Sequence, residues 1–421
     1  MIKQFIQQYK KNKRFKQVLG LFSVNLIGLP LGVITSIVVT RYLGPKGYGD
    51  FQFVHSIFNF AIIIFTMGFF QAGNRALVLN NDRQKAKEYY GAVLIIAGGL
   101  FIIMSISIVL YALNDPNVQE KNLRHFLLYA TPFGWVFLLM KYFETLFQAD
   151  NRIRLLAIMR LFSKIGFLIT TVFVYLLLIN LEYNRLAIIW ICFLITQITV
   201  YCYILCKLGI SFSNTRLRLF EIWNHNRSFG FNVYLGSLFA VGFSSLSGVL
   251  ISYFGVDNSG VGFYSLALAF SAPLAFIPNT IATTHYKDFS NQKCIPPKLL
   301  WITLAMSFSA LAGLWIIVGP FVHYFYGKEF IGVIKLSFIV SIGVILHGMA
   351  DFFNRYLGAN GQGKSLRNSS FYVGASVLVF NLLLIPKWGE YGAAYTRIIS
   401  GSVYLFAMVL YYRVFTINET K

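Results

Sequence analysis

The sequence predicts an all-α integral membrane protein, with twelve transmembrane helices in two parallel six-helix repeats. Three observations lead there. Only 12% of the 421 residues are charged, against about 25% in an ordinary soluble domain. Long uncharged apolar runs recur along the chain. A glycine-rich, aromatic punctuation also appears twice, about half a chain apart.

The runs come first. Val18 to Val39, Gly91 to Ala112, Phe229 to Phe254 and Leu299 to Phe321 carry no charge. Each reaches the roughly 20 residues a helix needs to cross a bilayer. The basic start "KKNKRFK" resembles the head of a signal peptide. The apolar run behind it is too long for a signal core and lacks a small-residue cleavage site, so it reads as an uncleaved first span. The first six spans are expected near 18–39, 51–73, 90–112, 125–148, 155–180 and 186–207. The second six are expected near 229–253, 262–285, 299–322, 333–357, 369–386 and 391–412. This gives an N-terminal lobe at 1–207, a cytoplasmic linker at 208–228 and a C-terminal lobe at 229–421.

Charge sets the orientation. A formal charge of +21 would suggest nucleic acid in a soluble protein. Here the lysines and arginines lie mostly between the runs, so no nucleic-acid partner is inferred. Twenty-three of them fall on the side of the N-terminus and seven on the other. The positive-inside rule then makes both termini cytoplasmic, in keeping with an even number of spans.

The punctuation follows. "LGPKGYGDF" comes after span one and "FGVDNSGVGFY" after span seven, each at an expected outer turn. "FQADNRIR" from Phe147 resembles "LGANGQGK" from Leu357, each after the fourth span of its half. "LEYNRLA" from Leu181 matches "GEYGAAY" from Gly389, each before the sixth. Matches in register indicate two six-helix halves that enter from the same face. Repeats of this kind recur in secondary transporters, with the substrate site between the halves.

With its lysine-rich N-terminus, "RYLGPKGYGDFQF", twelve spans and "GEYGAAYTRIISG" in the last hairpin, the chain resembles the polysaccharide transporter family of the multidrug/oligosaccharidyl-lipid/polysaccharide exporter superfamily. The O-antigen (Wzx-type) lipid-linked oligosaccharide flippases are the nearest type, and the resemblance covers essentially the whole chain. It implies two six-helix lobes in a V around a central cavity. It implies translocation of an undecaprenyl-pyrophosphate-linked oligosaccharide from the cytoplasmic to the outer leaflet of a bacterial inner membrane, by alternating access and without enzymatic chemistry. A polysaccharide polymerase and a chain-length regulator are the implied protein partners. The related peptidoglycan-precursor flippases are expected to carry two further helices.

Charges inside the spans mark candidate sites, because a charge at mid-bilayer costs about 2.5–3.5 kcal/mol on insertion scales. Lys141 and Glu144 lie in span four, Arg160 and Lys164 in span five, Asp351 and Arg355 in span ten, and Arg397 in span twelve. The first six fall in the cytoplasmic half. Lys141 with Glu144, and Asp351 with Arg355, have the spacing of helical ion pairs. Arg160 and Lys164 share a face and have no anion nearby in sequence. Arg160, Lys164, Lys141, Arg355 and Arg397 are therefore expected to line a cationic vestibule for the pyrophosphate that the resemblance implies. The alternative is that Arg160 and Lys164 snorkel to lipid phosphates while the mixed pairs lock helices together. Glu144 and Asp351 are the candidates for proton or sodium coupling.

Other signals are bland. Pro30, Pro132, Pro273 and Pro278 mark expected kinks. Cys192, Cys202 and Cys206 lie in one apolar run and read as packing residues, with no disulfide framework and no metal. No catalytic constellation, phosphate loop or cofactor motif stands out. A multidrug exporter of the same superfamily is a weaker alternative, since the spans hold more cations than anions. A membrane-embedded polymerase, ligase or glycosyltransferase would need larger outer loops.

Overall fold

The structure is a computed structural model that describes residues 13–80, 82–178 and 184–420, with backbone alone at 13–23, 25–26, 240–241 and 418–420. Lys3, Lys10, Lys11 and Lys421, which weigh in the orientation argument, lie outside the described residues, as does the start of "LEYNRLA".

Every regular element among the described residues is helical. The first run comprises α1 (Lys13–Phe65), α2 (Phe69–Val78), α3 (Arg83–Asn114) and α4 (Pro116–Glu120), followed by α5 (Arg124–Ala130), α6 (Trp135–Ala149), α7 (Ile153–Leu178) and α8 (Arg185–Leu208). Helix α9 (Thr215–His225) occupies the expected linker. The remainder comprises α10 (Phe231–Ser237), α11 (Phe243–Phe254), α12 (Ser259–Thr284), α13 (Tyr286–Phe289), α14 (Pro297–Phe325), α15 (Gly332–Ala359) and α16 (Gly363–Thr420).

Nine helical segments among the described residues are long and apolar enough to cross a membrane. Two of them, in α1 and α16, are bent by glycines at Gly44 and Gly389. A shorter apolar helix, Phe243–Phe254, lies in span seven. Each of the twelve expected spans lies mostly on helical backbone. The outward surface is apolar in the manner of a lipid-facing protein: Ile316 is 74% exposed and Leu176 69%. Such exposure costs little where the surroundings are hydrocarbon.

The local causes are visible. Asp82 caps α3 by accepting from the Gln84 amide at 2.8 Å, and Asn184 caps α8 through the Ala187 amide. The expected turn between spans one and two is a sharp bend instead of a loop. Only Gly44 departs from helical angles, at φ 70° and ψ −179°, where a β-carbon would be strained. Pro45 then restarts the helix, its ring already holding the φ of a first helical position.

Span four is interrupted by a 3-10 turn at Thr131–Gly134, where Pro132 sits. Pro273 and Pro278 lie inside α12, and Pro30 inside α1, without ending either helix. A π turn at Leu238–Gly242 interrupts span seven, and another, Asn226–Gly230, joins α9 to its start; the hydropathy pattern revealed neither.

The chain forms two compact units. One comprises Met1–Tyr42 and Ala61–Leu235; the other comprises Leu43–Phe60 and Gly236–Lys421. Sequence matching divided the chain around 208–228. Packing instead starts the second unit at Gly236 and adds Leu43–Phe60 to it.

The reason is a junction between the two copies of the punctuation. Asn258 donates to Asp50 Oδ1 at 2.7 Å and accepts from Ser252 Oγ at 2.6 Å, with all three residues buried. A β-carbon on Gly49 would lie 1.8 Å from the Asn258 carbonyl oxygen, so only glycine allows the backbones this close.

Aromatic rings fill the first unit's interior, where Tyr90, Tyr142, Phe143 and Phe147 are fully buried. Phe289, Phe352 and Tyr356 do the same in the second, beside Met408.

Candidate functional site

Four helices of the first unit enclose a cavity of about 330 Å³. Helix α7 contributes Met159, Arg160, Ser163 and Lys164; α6 contributes Met140 and Glu144; α8 contributes Gln197 and Tyr201; α1 contributes Val24. On each of the first three helices the lining residues lie three or four apart, the spacing that puts side chains on one helical face. The polar groups therefore converge while the opposite faces stay apolar.

Arg160 does have an anion. Its Nη2 lies 3.0 Å and its Nε 3.3 Å from one oxygen of Glu144, sixteen residues away. A neighbouring helix supplies the partner, so sequence spacing could not reveal it. The side chains of Arg160 and Glu144 are 31% and 29% exposed. Lys164 Nζ donates to the Gly28 carbonyl oxygen at 2.9 Å. The lysine charge is thus solvated by a backbone dipole, and among the described residues no carboxylate is paired with it. Ser163 Oγ and Gln197 Oε1, both on residues lining the cavity, are buried without hydrogen-bond partners among the described residues. Two cations and one carboxylate leave the cavity with an excess positive charge and unused polar capacity, features that suit an anion.

Both expected mixed pairs need correction. Among the described residues no ion pair joins Lys141 to Glu144, because Arg160 takes the carboxylate; Lys141 is half-buried and is not among the cavity-lining residues. No ion pair joins Asp351 to Arg355 either, and Arg355 is exposed.

Asp351 instead accepts from the Tyr404 hydroxyl at 3.0 Å and from Asn279 Nδ2 at 3.4 Å. Asn354 Nδ2 donates to the same hydroxyl at 3.0 Å. His347, one helical turn before Asp351, has Nδ1 at 3.0 Å from the Gly343 carbonyl and its ring 6.0 Å from that of Tyr404. Arg397 is half-buried, and its Nε has no hydrogen-bond partner among the described residues. The second unit therefore holds a polar cluster around Asp351. Arg160, Lys164 and Glu144 share the first unit's cavity; Asp351, Arg355 and Arg397 belong to the second unit.

The charges on the expected linker, read from sequence as topological markers, form a second network. Arg218 is 6% exposed, donating through Nε to Glu88 at 2.8 Å and through Nη1 to Glu221 at 2.7 Å. Tyr89 donates to Glu221 at 2.6 Å. Burial pushes the Glu221 carboxyl up, but its bonds to Tyr89 and Arg218 outweigh that and hold it below the usual carboxylate range. Only the spacing of Arg218 and Glu221, three apart, signalled any of this.

Among the described residues no group of three acids, histidines or cysteines is placed to hold a metal. All four cysteines are free; Cys192 is buried, while Cys202 and Cys206 are exposed on the apolar surface.

The backbone is the helical fold of the lipid-flippase and multidrug-transporter structures. It matches the structure "Lipid II flippase MurJ, inward closed conformation" with a TM-score of 0.73 at 15% identity, covering 94% of this chain and 87% of that one. It matches an inward-facing multidrug resistance MATE family transporter of the MOP superfamily with a TM-score of 0.67 at 12% identity, covering 96% and 98%. An outward-facing MATE structure gives 0.57 at 12% identity, covering 96% of each chain. No curated protein matches the chain. The family model described as "Polysaccharide biosynthesis protein" matches residues 15–286. The chain belongs to that family, in agreement with the resemblance carried by its motifs.

Proposed function

We propose that the protein is a flippase that moves an undecaprenyl-pyrophosphate-linked oligosaccharide, an O-antigen or similar repeat unit, from the cytoplasmic to the outer leaflet of a bacterial inner membrane. The observation that carries this reading is the cavity of Arg160 and Lys164, whose positive charge Glu144 only partly offsets. A diphosphate ester supplies the missing negative charge. Arginine's planar fork suits phosphate oxygens, and lysine adds a point charge.

Loading from the cytoplasmic leaflet requires capture charge in the cytoplasmic half, where the span assignment puts both cations. Binding must also permit release. A partly exposed guanidinium already engaged by Glu144 meets that need, because the substrate exchanges with an internal anion and does not fall into an empty, fully charged pocket. Alternating access of the two units would then carry the headgroup across. Asp351, bonded to Tyr404 and Asn279, is the candidate for proton or sodium coupling in the second unit. Glu144 is the candidate in the first. Arg355 and Arg397 would meet the substrate at other stages of the cycle, and Lys141 would add to the field near the entrance.

The test is flux in proteoliposomes. A fluorescent diphosphate-linked oligosaccharide lipid should cross in the presence of the wild type, and Arg160→Ala with Lys164→Ala should abolish the crossing. Transport of hydrophobic dye cations with no movement of the lipid-linked sugar would replace this reading with a multidrug exporter.

A further inference from the structure

The connection between the halves carries its charge and its grease in an unusual order. Helix α9 buries Arg218 and Ile222 and turns Leu217, Phe220 and Trp223 outward, at 51%, 63% and 50% exposure. Arg216 is exposed beside them, and Arg227 is exposed in the π turn that follows. Arg216, Phe220, Trp223 and Arg227 recur at intervals of four, three and four residues, which places them along one stripe. Glu221 is the only acid between residues 208 and 228, and Arg218 and Tyr89 occupy it. The outward stripe is therefore basic at both ends and aromatic between them, with no opposing charge.

The salt-bridged face fixes the helix in place. Arg218 bonds both to Glu88, near the start of α3, and to Glu221 in its own turn, and the Ser211 amide donates to the Lys87 carbonyl at 3.2 Å. Trp223 also stacks on Phe69 with centroids 5.9 Å apart. The outward apolar side chains are held in position and cannot simply turn inward. The lysine and arginine asymmetry places this connection at the cytoplasmic surface. A helix at that level, with an apolar face flanked by arginines, has the composition of an interfacial helix.

We infer that Arg216, Leu217, Phe220, Trp223 and Arg227 form a binding surface for anionic phospholipid, and that α9 lies in the headgroup region of the cytoplasmic leaflet. The apolar side chains reach the acyl boundary while the two arginines meet lipid phosphates. Charge complementarity selects the occupant: a cytoplasmic leaflet is negative, and each basic residue near it strengthens surface partitioning about fivefold.

The test places a nitroxide at Asn224, an exposed residue one turn beyond Phe220, in an otherwise cysteine-free full-length protein. Asn291→Cys, exposed in a turn, gives the aqueous reference. In nanodiscs of phosphatidylcholine with phosphatidylglycerol, the label at 224 should be reached by oxygen in preference to a water-soluble nickel chelate. Arg216→Gln and Arg227→Gln should each lower the ratio of immersed to aqueous label about fivefold. Inorganic phosphate added to phosphatidylcholine discs should not reproduce the effect, which separates a lipid surface from a free-anion site. If the label at 224 is as open to the nickel chelate as that at 291, the inference fails; that is also the result expected if a cytoplasmic protein is the true occupant. Immersion that ignores both lipid charge and the two arginine substitutions would likewise overturn the role of anionic lipid.

Discussion

Arg160 places two guanidinium nitrogens on a single oxygen of Glu144, at 3.0 and 3.3 Å, from the adjoining helix. The second carboxylate oxygen is outside this contact. Under the proposed function, Glu144 is a resident counterion that an incoming anion would displace or share. Replacing it with glutamine should strengthen binding of a diphosphate-linked lipid. Removing one charge-assisted contact to Arg160 corresponds to about 1.5–3 kcal/mol, or about tenfold or more in affinity. Turnover should fall, because release slows. Ligand binding to purified Glu144→Gln checks this, and unchanged affinity would remove Glu144 from the exchange.

Asp351 is held by a tyrosine hydroxyl and an amide, with no cation bonded to it among the described residues. Its charge state is thus available to respond to protons or to a metal cation. Asp351→Asn should change how flux depends on the imposed ion gradient. Tyr404→Phe, which removes one hydrogen bond worth about 1 kcal/mol, should give a smaller change in the same direction. Identical gradient dependence in wild type and Asp351→Asn would eliminate this residue as the coupling group.

The two copies of the punctuation meet at Gly49 and Asn258. Gly49→Ala puts a methyl group against a carbonyl oxygen, so the backbone must move. The cost should reach or exceed the 1–3 kcal/mol, roughly, of ordinary overpacking. Asn258→Ala leaves the buried Asp50 short of a donor, at about 1–3 kcal/mol. Both should lower the midpoint of thermal unfolding in detergent. A Gly49→Ala protein as stable as the wild type would contradict the close approach.

Val256 is fully exposed at the turn before Asn258. In a cysteine-free background, Val256→Cys should react with a membrane-impermeant maleimide added to intact spheroplasts, and Asn291→Cys should react only after lysis. The reverse pattern would invert the topology.

Composition and hydropathy made the helical membrane fold legible, since a chain so poor in charge cannot clothe itself in water-soluble surface. The short glycine-based motifs made the family legible. The bends at Gly44 and Gly389 were visible as glycines but not as bends, because a helix that breaks at one residue leaves no polar loop. The π turns at the start of span seven and within it had no hydropathy signature at all. At the site, Arg160 and Lys164 stood out because both spend charge inside an apolar run. Their surroundings did not. Spacing pairs Glu144 with Lys141, three residues away, whereas its partner Arg160 lies on another helix. Gln197 and Tyr201 complete the cavity, yet they look like ordinary polar marks in an apolar span. Sequence spacing sees contacts within a helix, while sites in helical bundles are made between helices.

The proposed function requires the first unit's cavity to bind a diphosphate through Arg160 and Lys164. The most direct measurement is the affinity of purified protein for an undecaprenyl-diphosphate-linked oligosaccharide, by native mass spectrometry or fluorescence anisotropy. Wild type is compared with Arg160→Ala, Lys164→Ala and Arg160→Lys, each first shown to be as abundant in the membrane as the wild type. Each alanine variant should weaken binding by about tenfold or more, as expected for losing a charge-assisted hydrogen bond of about 1.5–3 kcal/mol. Arg160→Lys should fall between, keeping charge but losing the fork. Equal affinity in all four proteins would contradict the account and leave the two cations as anchors to lipid phosphate.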